Sequence, residues 1–307
     1  CNGLQNFSAM LLDEVGGKAT NLVPMDKPQD VYTEVLKVVQ RKVEWDAENL
    51  TDEEQRNYAK LWVGKIDRNI VKRPVMTLPY GVKLFGIKDQ IVDELKKREM
   101  GYLDCEDPYP PSLYLAKVLW ESIGEVVIAS RKAMDWLQEV AKAVGNAESG
   151  DGALKWVTPA GFLVYQRYAK TETKTIRTFW GKAKVRVQLS VSELTDKLDK
   201  HKQRNGISPN FVHSMDASHL MLTINKLKDL GITSFTSIHD SYGTHACDTD
   251  TLHRALREAF IEQYSQDVLQ DFKEQVEAQY EGLELPEVPP KGSLNLEAVK
   301  ESLYFFA

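Results

Sequence analysis

The chain has 307 residues, with 39 Lys and Arg against 45 Asp and Glu, a formal net charge of −6, 42% hydrophobic and 27% charged residues. That length and balance describe a globular protein with a substantial core and exclude a low-complexity or disordered chain. No apolar stretch reaches the ~20 residues of a membrane span, and a negative total gives no general attraction to nucleic acid, so any such binding must come from local clusters.

The opening run, "CNGLQNFSAM", has no initiator methionine and no signal-like segment, which sets the expectation of a fragment or processed product. Cys1, Cys105 and Cys247 are odd in number and scattered, which fits a reducing compartment without a disulfide framework. Val31, Val35, Val38, Val39 and Val43 recur at helical spacing, predicting an amphipathic helix over residues 29–46, and residues 82–99 also read as helix. Pro110, Pro111 and Ser112 introduce a long predicted helix over 113–144, closed by Gly145. The loop "GNAESGDG" then gives way to the β-rich "LKWVTPAGFLVYQRY". Residues 214–230 read as helix, with Ser214 as N-cap and Gly231 beyond its C-terminus. Apolar residues spaced by four from Leu252 to Val276 predict one more helix, followed by an irregular, greasy tail. The expected class is α+β and helix-rich.

Three stretches rise above this background. In "DRNIVKRPVMTLPYG", residues 67–81, Arg68 and Lys72 stand four apart, so a helix sets both cations on one face with Arg73 beside them. Pro79 disfavours helix at Leu78, so the helix ends just before Tyr80 and Gly81. Such a face suits a triphosphate, with arginine as a bidentate clamp and lysine as a mobile point charge; the alternative is a solvated basic face beside a buried tyrosine. In "FTSIHDSYGTH", residues 235–245, His239 and Asp240 fall at the turn of a short hairpin. A carboxylate there can hold Mg²⁺ while leaving room for phosphate and water, although aspartate is also an ordinary turn residue. In residues 167–188 seven cations, Arg167, Lys170, Lys174, Arg177, Lys182, Lys184 and Arg186, face a single acid, Glu172. Alternation from 182 to 188 reads as a strand with one polar face, and "TFWG" can turn before it. A basic ribbon of this kind binds phosphates through Lys and base edges through Arg or Gln; a solubilising surface hairpin is the alternative.

Arg68, Lys72, Tyr80 and Gly81, followed much later by His239 and Asp240, resemble motifs B and C of the polymerase-I-like superfamily. DNA polymerases of that group usually have Phe where Met76 stands and Glu where Ser241 stands. Together with "WVTPAGF", "PNFVHSMDASH", "IHDSYGTHACD" and "KGSLNLEAVKESLYFFA", the whole chain is similar to the C-terminal portion of the single-subunit RNA polymerases of bacteriophages and mitochondria.

The resemblance implies a right-hand fold. Residues 1–14 and 214–307 would be palm and 15–213 fingers, with a promoter-specificity hairpin near 163–190. It implies transcription: two-metal, Mg²⁺-dependent transfer of ribonucleotides to an RNA 3′ end on a DNA template. Asp240 would be a metal ligand, and Lys72 a catalytic general acid. Arg68, Lys72 and Arg73 would clamp the triphosphate. Tyr80, Gly81 and His213 would meet the nascent base pair, and Arg177, Arg186 and Gln188 would read DNA. The second metal-binding aspartate lies, in that family, in a "DGS" just before the "CNGLQNFS" run, so an N-terminal polymerase part is an expected partner and residues 1–307 alone are expected to be inactive. Host cytoplasm is the location implied for a phage protein, with the mitochondrion as alternative. A non-catalytic nucleic-acid-binding fragment and a DNA polymerase of the same superfamily are the competing readings.

Overall fold

The computed structural model describes residues 3–99, 101–147, 150–181, 184–238 and 241–306. In chain order the elements are α1 (Gly3–Met10), α2 (Glu14–Ala19), α3 (Val31–Asn49), α4 (Glu53–Trp62), α5 (Arg68–Thr77), α6 (Leu84–Leu95), α7 (Tyr109–Val126) and α8 (Ile128–Asn146). There follow β1 (Leu154–Val157), β2 (Leu163–Gln166), β3 (Ala169–Trp180), β4 (Val185–Leu198), α9 (Lys200–Asp229), β5 (Phe235–Ile238), β6 (Ser241–Thr244), α10 (Thr249–Ser265) and α11 (Val268–Glu277). The strands form three separate antiparallel hairpins, β1–β2, β3–β4 and β5–β6, against a helical body. The helix-rich α+β expectation is met. None of these helices is long and apolar enough to cross a membrane.

Several boundaries differ from the periodicity reading. The helix expected over 113–144 is two, because the β-branched run Val126-Val127-Ile128 crowds the turn and Val127 leaves the helical region at φ −118°, ψ 55°. The helix expected from Leu252 to Val276 also breaks, at Gln266 in extended conformation, and Asp267 caps the second piece through the Gln270 N–H. Ser214 is not an N-cap. Helix α9 starts fourteen residues earlier, capped by Asp199, and runs through Pro209. Ser214 is instead a buried bracket, its Oγ donating to the Phe211 carbonyl at 2.7 Å and accepting from Trp156 Nε1 at 3.0 Å. Gly231 does stand beyond the helix end, with φ +81°.

The main hydrophobic cluster runs through α1 and α3 to α11, with Leu154 and Trp156 of β1. Trp156 on β1, Phe211 on α9 and Phe272 on α11 meet edge-to-face or tilted at centroid distances of 5.0–5.9 Å, and Trp136 joins them at 6.1 Å from Phe272. Their indole N–H groups are satisfied, Trp136 by the Pro286 carbonyl at 3.0 Å. Helix α1 has no charged residue and is buried throughout. The C-terminal segment folds back beside it: Gly292 and Leu294 donate to the Leu11 and Leu12 carbonyls, and Gln5 Nε2 reaches the Thr20 and Phe305 carbonyls. The two ends of the chain are thus stitched into one core.

A second aromatic group supports β5–β6. His219 on α9 lies against Phe260 at 5.6 Å and against Tyr242 and Phe306 at about 6 Å, and Tyr242 on β6 lies 5.6 Å from Phe306. His219 Nε2 bonds the Leu256 carbonyl at 2.8 Å, and burial pulls its pKa down from 6.5 to about 4.

Candidate nucleotide and nucleic-acid site

Helix α5 is fixed by its first residue. Asp67 caps it by accepting the Asn69 and Ile70 N–H groups, and also accepts from Arg98 Nη2 at 2.8 Å. Burial raises the Asp67 pKa, but the Arg98 and backbone hydrogen bonds outweigh it and hold the carboxyl below its usual value. Ile70, Val71, Pro74 and Val75 face the core, which turns Arg68, Lys72 and Arg73 out to solvent. The basic face expected from the sequence is therefore present.

Each cation has a different environment. Arg68 is held by Asp30, the N-cap of α3, through Nε at 2.6 Å and Nη2 at 3.3 Å, and its guanidinium lies 5.1 Å from the Tyr32 ring centre. Partial burial works to raise the Asp30 pKa, yet Arg68 and the Thr33 hydroxyl hold it below the usual carboxylate value. Arg73 approaches Asp93 on α6 at 3.9 Å. Lys72 is exposed and makes no ion pair among the described residues. Sequence reading missed Asp30; its signal was the Asp-before-helix pattern, which announces a cap and gives no hint of a second partner 38 residues away.

Beyond α5 the chain turns sharply. The Tyr80 and Gly81 N–H groups donate to the Thr77 and Leu78 carbonyls, and Gly81 takes φ +82°, a conformation that glycine adopts without strain. The Tyr80 ring is thereby laid on the His213 imidazole, with centroids 4.6 Å apart and planes within 8° of parallel. His213 is exposed on α9, and its Nδ1 lies 3.8 Å from Asp216 Oδ2. Asp216 Oδ1 in turn accepts from Asn6 Nδ2 of α1 at 2.6 Å. Residues 133 apart in the chain, Tyr80 and His213, are thus brought face to face at the end of the cationic helix, with Asp216 and Asn6 behind them.

The β3–β4 ribbon realises the basic hairpin and sorts its residues. The register pairs Arg177 with Gln188 and Phe179 with Arg186, so Arg177, Arg186 and Gln188 share one face, around a cleft of about 500 Å³ with Phe179. The alternate pairs, Ile176 with Leu189 and Trp180 with Val185, lie on the other face, and Trp180 is 73% exposed. Two details differ from the alternation reading. Thr178, Phe179 and Trp180 continue the strand, so the turn begins at Gly181, and Lys184 closes it with φ +50° by donating to the Gly181 carbonyl. Lys174 is paired with Glu193 at 2.6 Å. Lys182 lies outside the described residues.

Strands β5 and β6 form the expected hairpin, paired from Phe235 with Thr244 to Ile238 with Ser241. His239 and Asp240, the metal candidate among them, lie outside the described residues. Among the described residues no group of three or more His, Cys, Asp or Glu side chains could hold a metal ion. The described donor set therefore does not make a metal site by itself.

The sequence profile described as DNA-dependent RNA polymerase matches residues 1–284. The chloroplastic DNA-directed RNA polymerase 3 of Nicotiana sylvestris is 39% identical over 308 residues, covering 100% of this chain and 30% of that protein. The mitochondrial DNA-directed RNA polymerase 1 of Arabidopsis thaliana is 37% identical over 310 residues, again with 100% and 30% coverage. T7 RNA polymerase of Escherichia phage T7 is 37% identical over 345 residues, covering 100% of this chain and 39% of the phage protein. The chain spans less than half the length of each of these relatives. With the cationic α5, the Tyr80–His213 stack and a match over nearly its whole length, the chain belongs to the DNA-dependent RNA polymerase family.

Proposed function

We propose that this chain supplies the nucleotide-binding and DNA-reading share of a template-dependent RNA polymerase. The observation that carries the reading is the end of α5: an exposed Arg68–Lys72–Arg73 face leading directly into the Tyr80–His213 stack. The cations take the triphosphate of an incoming ribonucleotide, Arg68 as a bidentate clamp and Lys72 as point charge and proton donor to the leaving pyrophosphate. Tyr80 and His213 border the nascent base pair, and Gly81 lets the backbone turn tightly beside it. Asp240 is the proposed Mg²⁺ ligand, acting with a second carboxylate from polymerase sequence outside these 307 residues. Magnesium supplies activation of the RNA 3′-hydroxyl and neutralisation of phosphate charge.

On the same reading residues 1–14 and 214–307 belong to the palm and 15–213 to the fingers, with α9 continuous across that boundary. Arg177, Arg186 and Gln188 read promoter DNA from one face of the ribbon, a role supported by their shared register. The reading is tested by extension of an RNA primer on a DNA template. Residues 1–307 are assayed alone and after mixing with a polymerase fragment bearing the second aspartate. Activity is expected only in the mixture. Activity of the mixture that is unaffected by Lys72→Ala would overturn the assignment of α5.

A further inference from the structure

The β1–β2 hairpin has an outer face that the nucleotide site does not use. Its register pairs Lys155 with Tyr165 and Val157 with Leu163 on that face, while Leu154, Trp156 and Gln166 point inward. At the turn and on β2, Phe162, Leu163 and Tyr165 are 58%, 60% and 54% exposed. Leu163 and Tyr165 lie on the outer face and Phe162 at the turn, so three large exposed apolar side chains gather at this end of the hairpin.

The patch is held rigidly. Thr158 N–H donates to the Phe162 carbonyl at 2.9 Å, Phe162 N–H to Thr158 Oγ1 at 3.2 Å, and Ala160 N–H to Ser218 Oγ of α9 at 3.0 Å. Along β1, Gln275 of α11 and Gln279 in the turn after it occupy the outer backbone groups: Val157 N–H donates to Gln275 Oε1 at 2.7 Å, and Lys155 bonds Gln279 through both its N–H and its carbonyl. That edge is closed to an added peptide strand, which removes β-augmentation as its use.

Between the hairpin and α9 lies a cleft of about 400 Å³. Phe162 and Tyr165 line it on one side, Asn210 and His213 on the other. It is thus walled by aromatic rings opposite an amide and the same imidazole that carries Tyr80. Lys155 Nζ lies 5.5 Å from the Tyr165 ring centre, and the Asp151 carboxylate accepts the Tyr165 hydroxyl at 3.2 Å. Arg167, just beyond β2, donates to the Asp151 and Asp196 carbonyls at 3.4 and 2.5 Å. The hairpin is also joined to the ribbon. Two residues separate β2 from β3, and Asn210 Nδ2 donates both to Gln166 Oε1 at 2.8 Å and to Tyr168 Oη at 3.0 Å.

We propose that the β1–β2 hairpin is a stacking platform for single-stranded nucleic acid. Phe162 and Tyr165 take the faces of unpaired bases, the cleft against α9 receives one base, and Lys155 and Arg167 hold the backbone. Aromatic rings serve any base in this way, because every base has a π-face. The proposal rests on the polymerase reading above, and its test separates the two.

The probe is a 12-nucleotide single-stranded DNA carrying one 2-aminopurine, titrated into the 307-residue chain. Stacking quenches its fluorescence. Phe162→Ala and Tyr165→Ala are each expected to weaken binding at least about fivefold, the lower end of one lost base–aromatic stack, and to relieve the quench. Phe162→Trp and Tyr165→Phe are expected to restore both, and the exposure of these positions keeps all four variants folded, as far-ultraviolet circular dichroism will show. Binding of a ribonucleoside triphosphate with Mg²⁺, and its loss in Lys72→Ala, is measured on the same proteins. Triphosphate binding that depends on Lys72, with strand binding absent or unchanged in the Phe162→Ala/Tyr165→Ala double variant, overturns the platform, leaves the polymerase reading standing and assigns the patch to a protein neighbour. Strand binding that depends on the two rings, with triphosphate binding indifferent to Lys72, supports the platform and overturns the nucleotide site instead.

Discussion

Acid should destabilise this protein through one buried ring. His219 is shut between Phe260, Tyr242 and Phe306, and its Nε2 must carry a hydrogen because the Leu256 carbonyl it meets can only accept. Burial disfavours the imidazolium and lowers the folded pKa from 6.5 to about 4. The unfolded chain therefore takes up this proton first as pH falls. The stability contributed by the neutral ring is complete above pH ~6.5 and is lost progressively on acidification until about pH 4, below which both states are protonated. At 1.36 kcal/mol per pKa unit the full loss is about 3 kcal/mol, of which about 2 kcal/mol is gone by pH 5. Urea midpoints at pH 7.5 and pH 5 measure it, with His219→Gln as reference, since glutamine keeps a donor without titrating. His253, whose pKa is also lowered by burial, acts in the same direction in both proteins and cancels in the comparison. The wild type should lose about 2 kcal/mol more than the variant between the two pH values. Equal losses would refute the reasoning and mean that the ring is hydrated or pairs with an acid.

Other outcomes are expected in the assembled polymerase. Asp240→Asn should nearly abolish nucleotide addition yet leave promoter binding intact, because on the proposed reading it removes a metal ligand and no DNA contact; near-normal elongation refutes the assignment. Tyr80→Phe should keep most activity and discriminate less against deoxyribonucleotides, measured as the ratio of kcat/KM for the two sugars. Alanine at Arg177, Arg186 or Gln188 should each shift promoter preference by about 1–3 kcal/mol while sparing elongation on a pre-melted scaffold; equal loss on every sequence makes them phosphate contacts only. Asp30→Asn should retain the cap of α3 and free Arg68, tightening triphosphate binding by up to about fivefold, the value of an exposed ion pair. Unchanged or weaker affinity would mean that Asp30 orients Arg68 for its ligand.

How much of this was legible in the sequence depends on the range of the forces involved. Helix α5 was readable because the i,i+4 cations and Pro79 are local signals, while the cap by Asp67 appears only in the structure. The ribbon was readable because alternation is local too, and only its turn was misjudged, since Phe179 and Trp180 can sit in a strand as readily as in a turn. The start of α9 was not readable. Pro209 signals a break, but tertiary contacts override it: Ser208 Oγ reaches the Pro79 carbonyl at 3.3 Å, and Phe211, Val212 and Met215 are buried in the core. The motif resemblance supplied His213 and Tyr80 as neighbours of one base pair, but no sequence rule sets their rings parallel or places Asp216 and Asn6 behind them. Those contacts join residues 133 and 210 positions apart, and only the fold brings them together.

On the proposed reading, two of the groups that a nucleotide needs are already occupied by the protein. Arg68 is held by Asp30 and the Tyr80 ring by His213, while Lys72 makes no ion pair among the described residues. Binding must therefore exchange contacts and not merely add them. The Arg68 pair is half exposed and contributes about 0.2–1 kcal/mol, and an aromatic stack about 0.5–1.5 kcal/mol, so releasing both costs at most about 2.5 kcal/mol. Charge-assisted hydrogen bonds to phosphate contribute about 1.5–3 kcal/mol each, so two of them offset that cost. The internal contacts are thus weak enough to yield to a triphosphate and strong enough to hold both side chains near their working positions without one. The acid that holds Arg68 and the imidazole that holds Tyr80 act as placeholders, the first for phosphate and the second for a base pair.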